Sequence, residues 1–216
     1  MAVQLRRKSV KRSRPRRATG SISESRRREI VAEAVRLMEE KGFTAVSVQH
    51  VANALAFSKA NFYHHIKSKE KLLYEVFVDT LQFAIANIGA IVSSSRPQPE
   101  KLNALVEFYV SLMLERRAVM LVWFKERAHL SGAHIAEVTR LEQQVTGLLR
   151  ELYAAGIEQG YFKRIDLEIL RHAIFGMCFL LTKLPQTTHL SRETITRQLQ
   201  DLAAGGLVIT TSRNEQ

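Results

Sequence analysis

Cys178 is the only cysteine in the chain. A single thiol excludes an internal disulfide framework and a cysteine zinc cluster, and it fits a reducing compartment, so the expected location is the cytoplasm. No stretch of about 18 uncharged apolar residues occurs, and no apolar segment follows the basic N-terminus, so neither a membrane span nor a secretory signal is expected. Catalytic signatures are missing too: there is no glycine-rich phosphate loop, no nucleophile elbow and no His-Glu-x-x-His pattern. His64 and His65 are neighbours and diverge on a helix, while His129 and His134 share no helical face well, so neither pair makes a metal site. A binding protein is expected rather than an enzyme, with no metal and no cofactor. Alternating strand patterns and internal repeats are also absent, which leaves an all-α fold.

What the chain does contain is apolar residues enough for a core and a very uneven charge. Of its 216 residues 46% are hydrophobic, and the formal net charge is +11. Arg6, Arg7, Lys8, Lys11, Arg12, Arg14, Arg16, Arg17, Arg26, Arg27 and Arg28 stand against Glu24 alone in residues 1–28, and the remainder is almost neutral. The expected partner is a polyanion met first by the basic end; nucleic acid is the commonest, with anionic lipid the alternative. Residues 1–22 carry Ser, Arg and Pro without a helical apolar stripe, so they read as a disordered arm.

Helical spacing begins at Arg26, with Ile30, Ala34 and Leu37 or Met38 on one side, and should stop at Lys41, where Gly42 supplies a left-handed cap. Ser47 is suited to cap a second short helix with Val48, Val51, Ala52 and Leu55 inward, and Ser58 a third. Only Ala56 and Phe57 separate the two, so the helices must cross steeply in a helix-turn-helix. Phe62 and Ile66 would anchor the third helix, leaving Lys59, Ala60, Asn61 and His64 outward. Lys and Asn on an exposed helix suit a DNA major groove, where they meet guanine and adenine acceptors and donors. Ser68 should cap a long helix ending near Ser93, and "SSSRPQPE" reads as a break because Pro97 and Pro99 disfavour helix in what precedes them. Helices are expected again over about 101–115, 118–131, 133–159, 167–184 and 192–204, with Asp166 and Ser191 as caps and Gly160, Pro185 and Gly205 as stops.

The stretch "GFTAVSVQHVANALAFSKANFYHHIKSKEKLL" resembles the DNA-binding domain of TetR-family bacterial transcriptional regulators over about residues 26–77. It carries the Gly-Phe after the first helix, Ser47, Ala52, Ser58, Tyr63, Ser68-Lys69-Glu70 and Leu73. It departs from the family at Ala56, where glycine is usual, at Ile66 for Phe and at Lys67 for Pro. Ala56 matters because glycine adopts positive φ more cheaply. The resemblance implies a homodimer that binds two half-sites of operator DNA and acts as a repressor released by a small-molecule effector. It puts Ser47, Tyr63, His64 and Lys69 at phosphates, and Lys59, Ala60 and Asn61 on the base-reading face beside the cap Ser58. The implied organisation is an arm over 1–22, a helix-turn-helix domain over 23–70, an effector-binding and dimerisation domain over 71–210 and a tail over 211–216.

In the second half, "VMLVWFKERAHLSG", "GYFKRIDLEILRHAIFGM" and "LSRETITRQLQDLAAGGL" resemble the sensing domain of regulators of fatty-acid and steroid catabolism, whose effectors are often CoA thioesters. Many of those carry a tryptophan shortly after the glycine matching Gly176, where this chain has Leu180, Leu181 and Leu184. Phe83, Phe108, Leu112, Met113, Met120, Trp123, Phe124, Phe175 and Phe179 are candidates to line the effector cavity, although aromatics at helical spacing are more often plain core. Arg127 could hold an anionic head group bidentately, or pair within the chain. Residues 173–181 are apolar on every side, so one face is expected in the chain's own core and another against a partner copy. With the helix from Thr194 to Ala204 this nominates Ile174, Met177, Leu181, Ile195, Leu199 and Leu202 for a four-helix dimer interface. The rival reading is an architectural DNA-binding protein in which the cavity residues are ordinary core.

Overall fold

The computed structural model describes residues 24–57, 62–63, 66–184 and 189–209; the expected arm, the tail and most of the expected third helix lie outside them. Regular structure among the described residues is helical, apart from one isolated bridge between Phe162 and Val208. Helices α1 (Glu24–Lys41) and α2 (Val48–Ala54) form the head. Gly42 ends α1 at φ 76°, its N–H bonded to the Met38 carbonyl. Ser47 caps α2 by accepting from the His50 N–H, while His50 accepts from the Ser47 N–H, so histidine completes a capping box usually closed by Glu or Gln. Beyond α2, Ala56 sits at φ 52°, the one non-glycine residue at positive φ among the described residues. The tight turn therefore keeps a geometry that favours glycine without having glycine there.

Helix α3 (Lys69–Ser93) is capped by Ser68, whose hydroxyl accepts from Lys71 N–H. At 25 residues it is about 37 Å long, and it runs out of the head into the body. By composition it is long and apolar enough to cross a membrane, yet its apolar side is taken up by the protein's own interior. Leu72, Leu73, Val76 and Phe77 belong to the head core, whereas Ala84 and Ile88 belong to the body core.

The body is built from α4 (Gln98–Glu115), α5 (Arg117–Glu126), α6 (Gly132–Glu158), α7 (Leu167–Phe179) and α8 (Arg192–Leu207), with single 3-10 turns at Arg127–His129 and Leu180–Lys183. Four boundaries differ from the sequence expectation. α4 starts at Gln98 rather than near 101, because a proline in the first turn lacks only an N–H that no carbonyl would have met. α5 stops at Glu126, and the following turn carries Leu130 into the head core. The helix expected to reach 184 tightens after Phe179, where Thr182 bonds back to the Phe179 carbonyl and gives its own carbonyl to Arg117. α8 continues through Gly205 and Gly206 because Leu207 is buried and its carbonyl accepts from Lys163 N–H. Asp166 and Ser191 cap α7 and α8 as expected.

The head core is not confined to residues 23–70. Val119 and Val122 of α5, Leu130, and Val138 and Leu141 of α6 pack into it.

Candidate functional site

On the head, Phe62 and Ile66 are buried as the sequence suggested. Ser58, Lys59, Ala60, Asn61 and His64 lie outside the described residues. Ser47 is half-buried with its hydroxyl engaged as the α2 cap, and Tyr63 packs on the rim of the head core. Lys69, expected at a phosphate, is engaged within the chain. Its Nζ donates to the Thr44 carbonyl at 2.8 Å and lies 4.2 Å from the centre of the Phe43 ring. Burial lowers its pKa, with Glu126 opposing the shift. A phosphate would have to draw this ammonium away from partners it already has.

The body holds a cavity of about 490 Å³ among α3 to α7, within the size range of small-molecule sites. Helix α3 contributes Thr80, Leu81, Ala84 and Ile88; α4 contributes Tyr109 and Leu112; α5 contributes Met120, Trp123 and Phe124. Thr139, Glu142, Gln143, Val145, Thr146 and Leu149 come from α6, and Arg171, His172 and Phe175 from α7. Five expected residues, Leu112, Met120, Trp123, Phe124 and Phe175, are brought together here. Phe179 lies beside them, its ring 3.9 Å from that of Phe124. Met113 is fully buried core, and Phe83 and Phe108 instead line a second groove of about 410 Å³ between α3 and α4. Two of the charges at its rim are engaged: Arg116 pairs with Asp79 and covers the Phe83 ring, and Arg192 pairs with Glu115.

Arg127 is not among the residues lining the cavity. Its Nε and Nη2 donate to the two oxygens of Glu142 at 3.0 and 2.7 Å, a bidentate pair that fastens the end of α5 to α6 and raises the arginine's pKa. This is the within-chain pairing left open beside a ligand's anionic group, and through it the guanidinium neutralises a cavity carboxylate. The cation at the cavity wall is Arg171, whose Nη2 bonds to Glu168 at 2.8 Å while its Nε is buried without a hydrogen-bond partner. A buried, unpaired donor costs free energy until something accepts from it. Sequence reading passed over Arg171, although its place one helical turn before Phe175 is a signal that the two share a face. Tyr109 is pushed to a higher pKa by burial and stays neutral. Burial also pushes the Cys178 thiol up to about 12, which leaves it unreactive. Among the described residues no group of three or more His, Cys, Asp or Glu side chains is placed to hold a metal.

The expected dimer residues divide. Ile174, Leu181 and Ile195 are buried in the chain's own core and cannot face a partner, whereas Met177 and Leu199 are half-buried and Leu202 is 67% exposed. Ile169 and Leu180, each 65% exposed, were missed. The apolar run around residue 177 is continuous, so periodicity had no polar positions with which to choose the outer face.

The head and body each match a known family description: "Bacterial regulatory proteins, tetR family" over residues 30–76, and "Tetracyclin repressor-like, C-terminal domain" over 95–207. The HTH-type transcriptional repressor KstR2 of Mycobacterium tuberculosis is 27% identical over 154 residues, covering 71% of this chain and 76% of that protein. The crystal structure of a tetR-family regulatory protein from Rhodococcus RHA1 superposes with TM-score 0.75 at 26% identity, covering 85% of this chain and 97% of that one. AibR, solved with isovaleryl coenzyme A and operator DNA, shares the fold with TM-score 0.71 at 23% identity over 82% of this chain and 96% of its own.

Proposed function

The chain belongs to the TetR family of bacterial transcriptional regulators and binds DNA, and from that premise we propose that it is a cytoplasmic repressor whose head is released from its operator when a small molecule enters the cavity between α3 and α7. One observation carries this reading: α5 serves both regions at once. Its Val119 and Val122 are set in the head core, while its Met120, Trp123 and Phe124 line the cavity. Trp123 also lies against Phe77 of α3, ring centres 4.4 Å apart. A ligand that displaces the aromatic face must move the aliphatic face with it, because packed interiors transmit displacement instead of absorbing it. The ligand shifts the population only if it prefers the arrangement that cannot bind DNA.

The effector class follows from the lining. Most of the wall is apolar or aromatic, Glu142 is neutralised by Arg127, and Arg171 offers an unused donor. This suits a molecule with a substantial hydrocarbon body and one carbonyl, carboxylate or thioester oxygen for Arg171. A CoA thioester is such a molecule, and AibR shows that this fold accommodates one.

Two heads are needed to read a two-part operator, and the exposed apolar side chains Ile169, Leu180 and Leu202 support a dimer through α7 and α8. Heads held about 34 Å apart reach successive major grooves, and a change of several ångströms in that separation prevents both from seating. An architectural DNA-binding role is less favoured, since it gives the cavity and its orphaned donor no purpose.

The test is DNA binding by the purified protein with short-chain, long-chain and steroid acyl-CoAs and the matching free acids. Release by one ligand is expected, and Arg171→Met should weaken that release at least about tenfold while leaving ligand-free DNA affinity unchanged. Binding indifferent to the whole panel would refute the effector class.

A further inference from the structure

The first two residues of α3 grip opposite sides of the junction between head and body. Lys69 reaches the head loop, where it bonds to Thr44 and lies over Phe43, and the His129 ring lies 5.1 Å from the same Phe43. Glu70 reaches the body. Its Oε1 accepts from the Ser131 N–H at 2.9 Å and the Ser131 hydroxyl at 3.0 Å, with His134 Nδ1 at 3.3 Å. Ser131 occupies the cap position of α6, yet its own side chain makes no capping bond to that helix. A carboxylate from another helix supplies the acceptor instead, at the end of α6 where the helix dipole favours negative charge. The contact is braced from α3 itself, because the His134 ring stacks on Tyr74 with centres 4.5 Å apart.

We propose that Glu70 is a positioning residue for operator recognition, a latch that fixes the angle of the head on the body so that two heads are presented at one separation. Apolar contacts between head and body are non-directional and tolerate small rotations, whereas three donors converging on one carboxylate oxygen define an orientation. In sequence Glu70 reads as part of the Ser68-Lys69-Glu70 start of a helix, where an acidic residue ordinarily serves its own helix. Here its side chain is spent on another. The proposal rests on the two-headed reading given above.

The experiment uses a duplex selected by the wild-type protein from a random pool, and the same duplex with one half-site scrambled. Wild type should prefer the intact duplex. Glu70→Ala should reduce that preference about fivefold or more, at the lower end of the coupling between distant sites, with affinity for the scrambled duplex and the melting temperature little changed. Amide exchange at Ser131 to His134 should quicken, and Glu70→Gln, which keeps an acceptor for Ser131, should restore part of the preference. If Glu70→Ala keeps the wild-type preference, or weakens both duplexes equally, the latch is overturned while the two-headed reading stands. A wild-type protein with no preference for two half-sites would overturn that reading and the latch with it.

Discussion

Replacing Gly156 with Ala pits helix propensity against packing, and the structure decides which wins. Gly156 lies inside the last turn of α6, where alanine alone would stabilise a helix by roughly 1 kcal/mol. A Cβ there would fall 2.0, 2.2 and 2.7 Å from three carbons of the Phe162 ring, against an ordinary contact of 3.4 Å or more, so the ring would have to retreat by about 1.4 Å. It has nowhere to go. Phe162 is 1% exposed, its N–H bonds to the Gly156 carbonyl, and the next residue is bonded to Leu207 at the end of α8. Overpacking typically costs about 1–3 kcal/mol, and expelling the ring would forfeit about 3–5. With an overlap of about 1.4 Å and no room for the ring to shift, expulsion is the relevant case, and about 3–5 less the propensity gain of about 1 leaves a net loss of about 2–4 kcal/mol, or roughly 4–16 °C in Tm for a chain of this size. Urea and thermal unfolding at one fixed protein concentration measure it, since any self-association makes stability depend on concentration. Phe162→Leu in the Gly156→Ala background should recover at least about 1 kcal/mol relative to the sum of the single changes. A Gly156→Ala protein as stable as wild type, or more stable, would refute the packing argument.

Two further outcomes concern the head. Ala56→Gly relieves a left-handed residue that costs about 1–2 kcal/mol, while glycine returns roughly 0.5–1 through the unfolded chain, so a net gain of about 0.5–1 kcal/mol is expected in urea unfolding; an unchanged or lowered midpoint would contradict it. Burial of Glu75 acts to raise its pKa, but bonds from Lys71 and Arg27, each at 2.7 Å, together outweigh burial and hold it below the usual carboxylate range. A lowered folded pKa contributes stability above the unfolded value, and that contribution disappears as the pH falls through the folded one. Wild type should therefore lose its advantage over Glu75→Gln as the pH falls through and below the usual carboxylate range. An advantage that does not vary with pH would mean that the ion pairs are not its source.

Local chemistry made much of this protein readable. Serine caps at 47, 68 and 191, the aspartate cap at 166 and the Gly42 stop act within a few residues of themselves, so their positions in the chain already specify the helices they bound. The turn at Ala56 was less legible: alanine in place of the usual glycine argued against a positive φ there, yet the residue adopts φ 52°. The family was legible because its head motif is a contiguous run.

Partnerships across the fold were not legible, because they depend on which helices meet. Arg127 reads equally well as a ligand's anchor or as an internal pair, and only the approach of α6 gave it to Glu142. Lys69 reads as a phosphate contact until Thr44 and Phe43 are brought beneath it. In the apolar run around Met177, hydrophobicity marks every side as fit for burial, and the packing of the Leu180–Lys183 turn against α4 and α5 left Leu180 outside while taking Leu181 in. By itself the sequence determined an all-helical chain with a helix-turn-helix head, since caps, spacing and turn chemistry act over a few residues. Tertiary structure alone decided that Arg171 carries the unused donor, that Arg127 does not, and that α5 joins head to cavity, because burial and charge pairing are properties of surfaces the folded chain brings together.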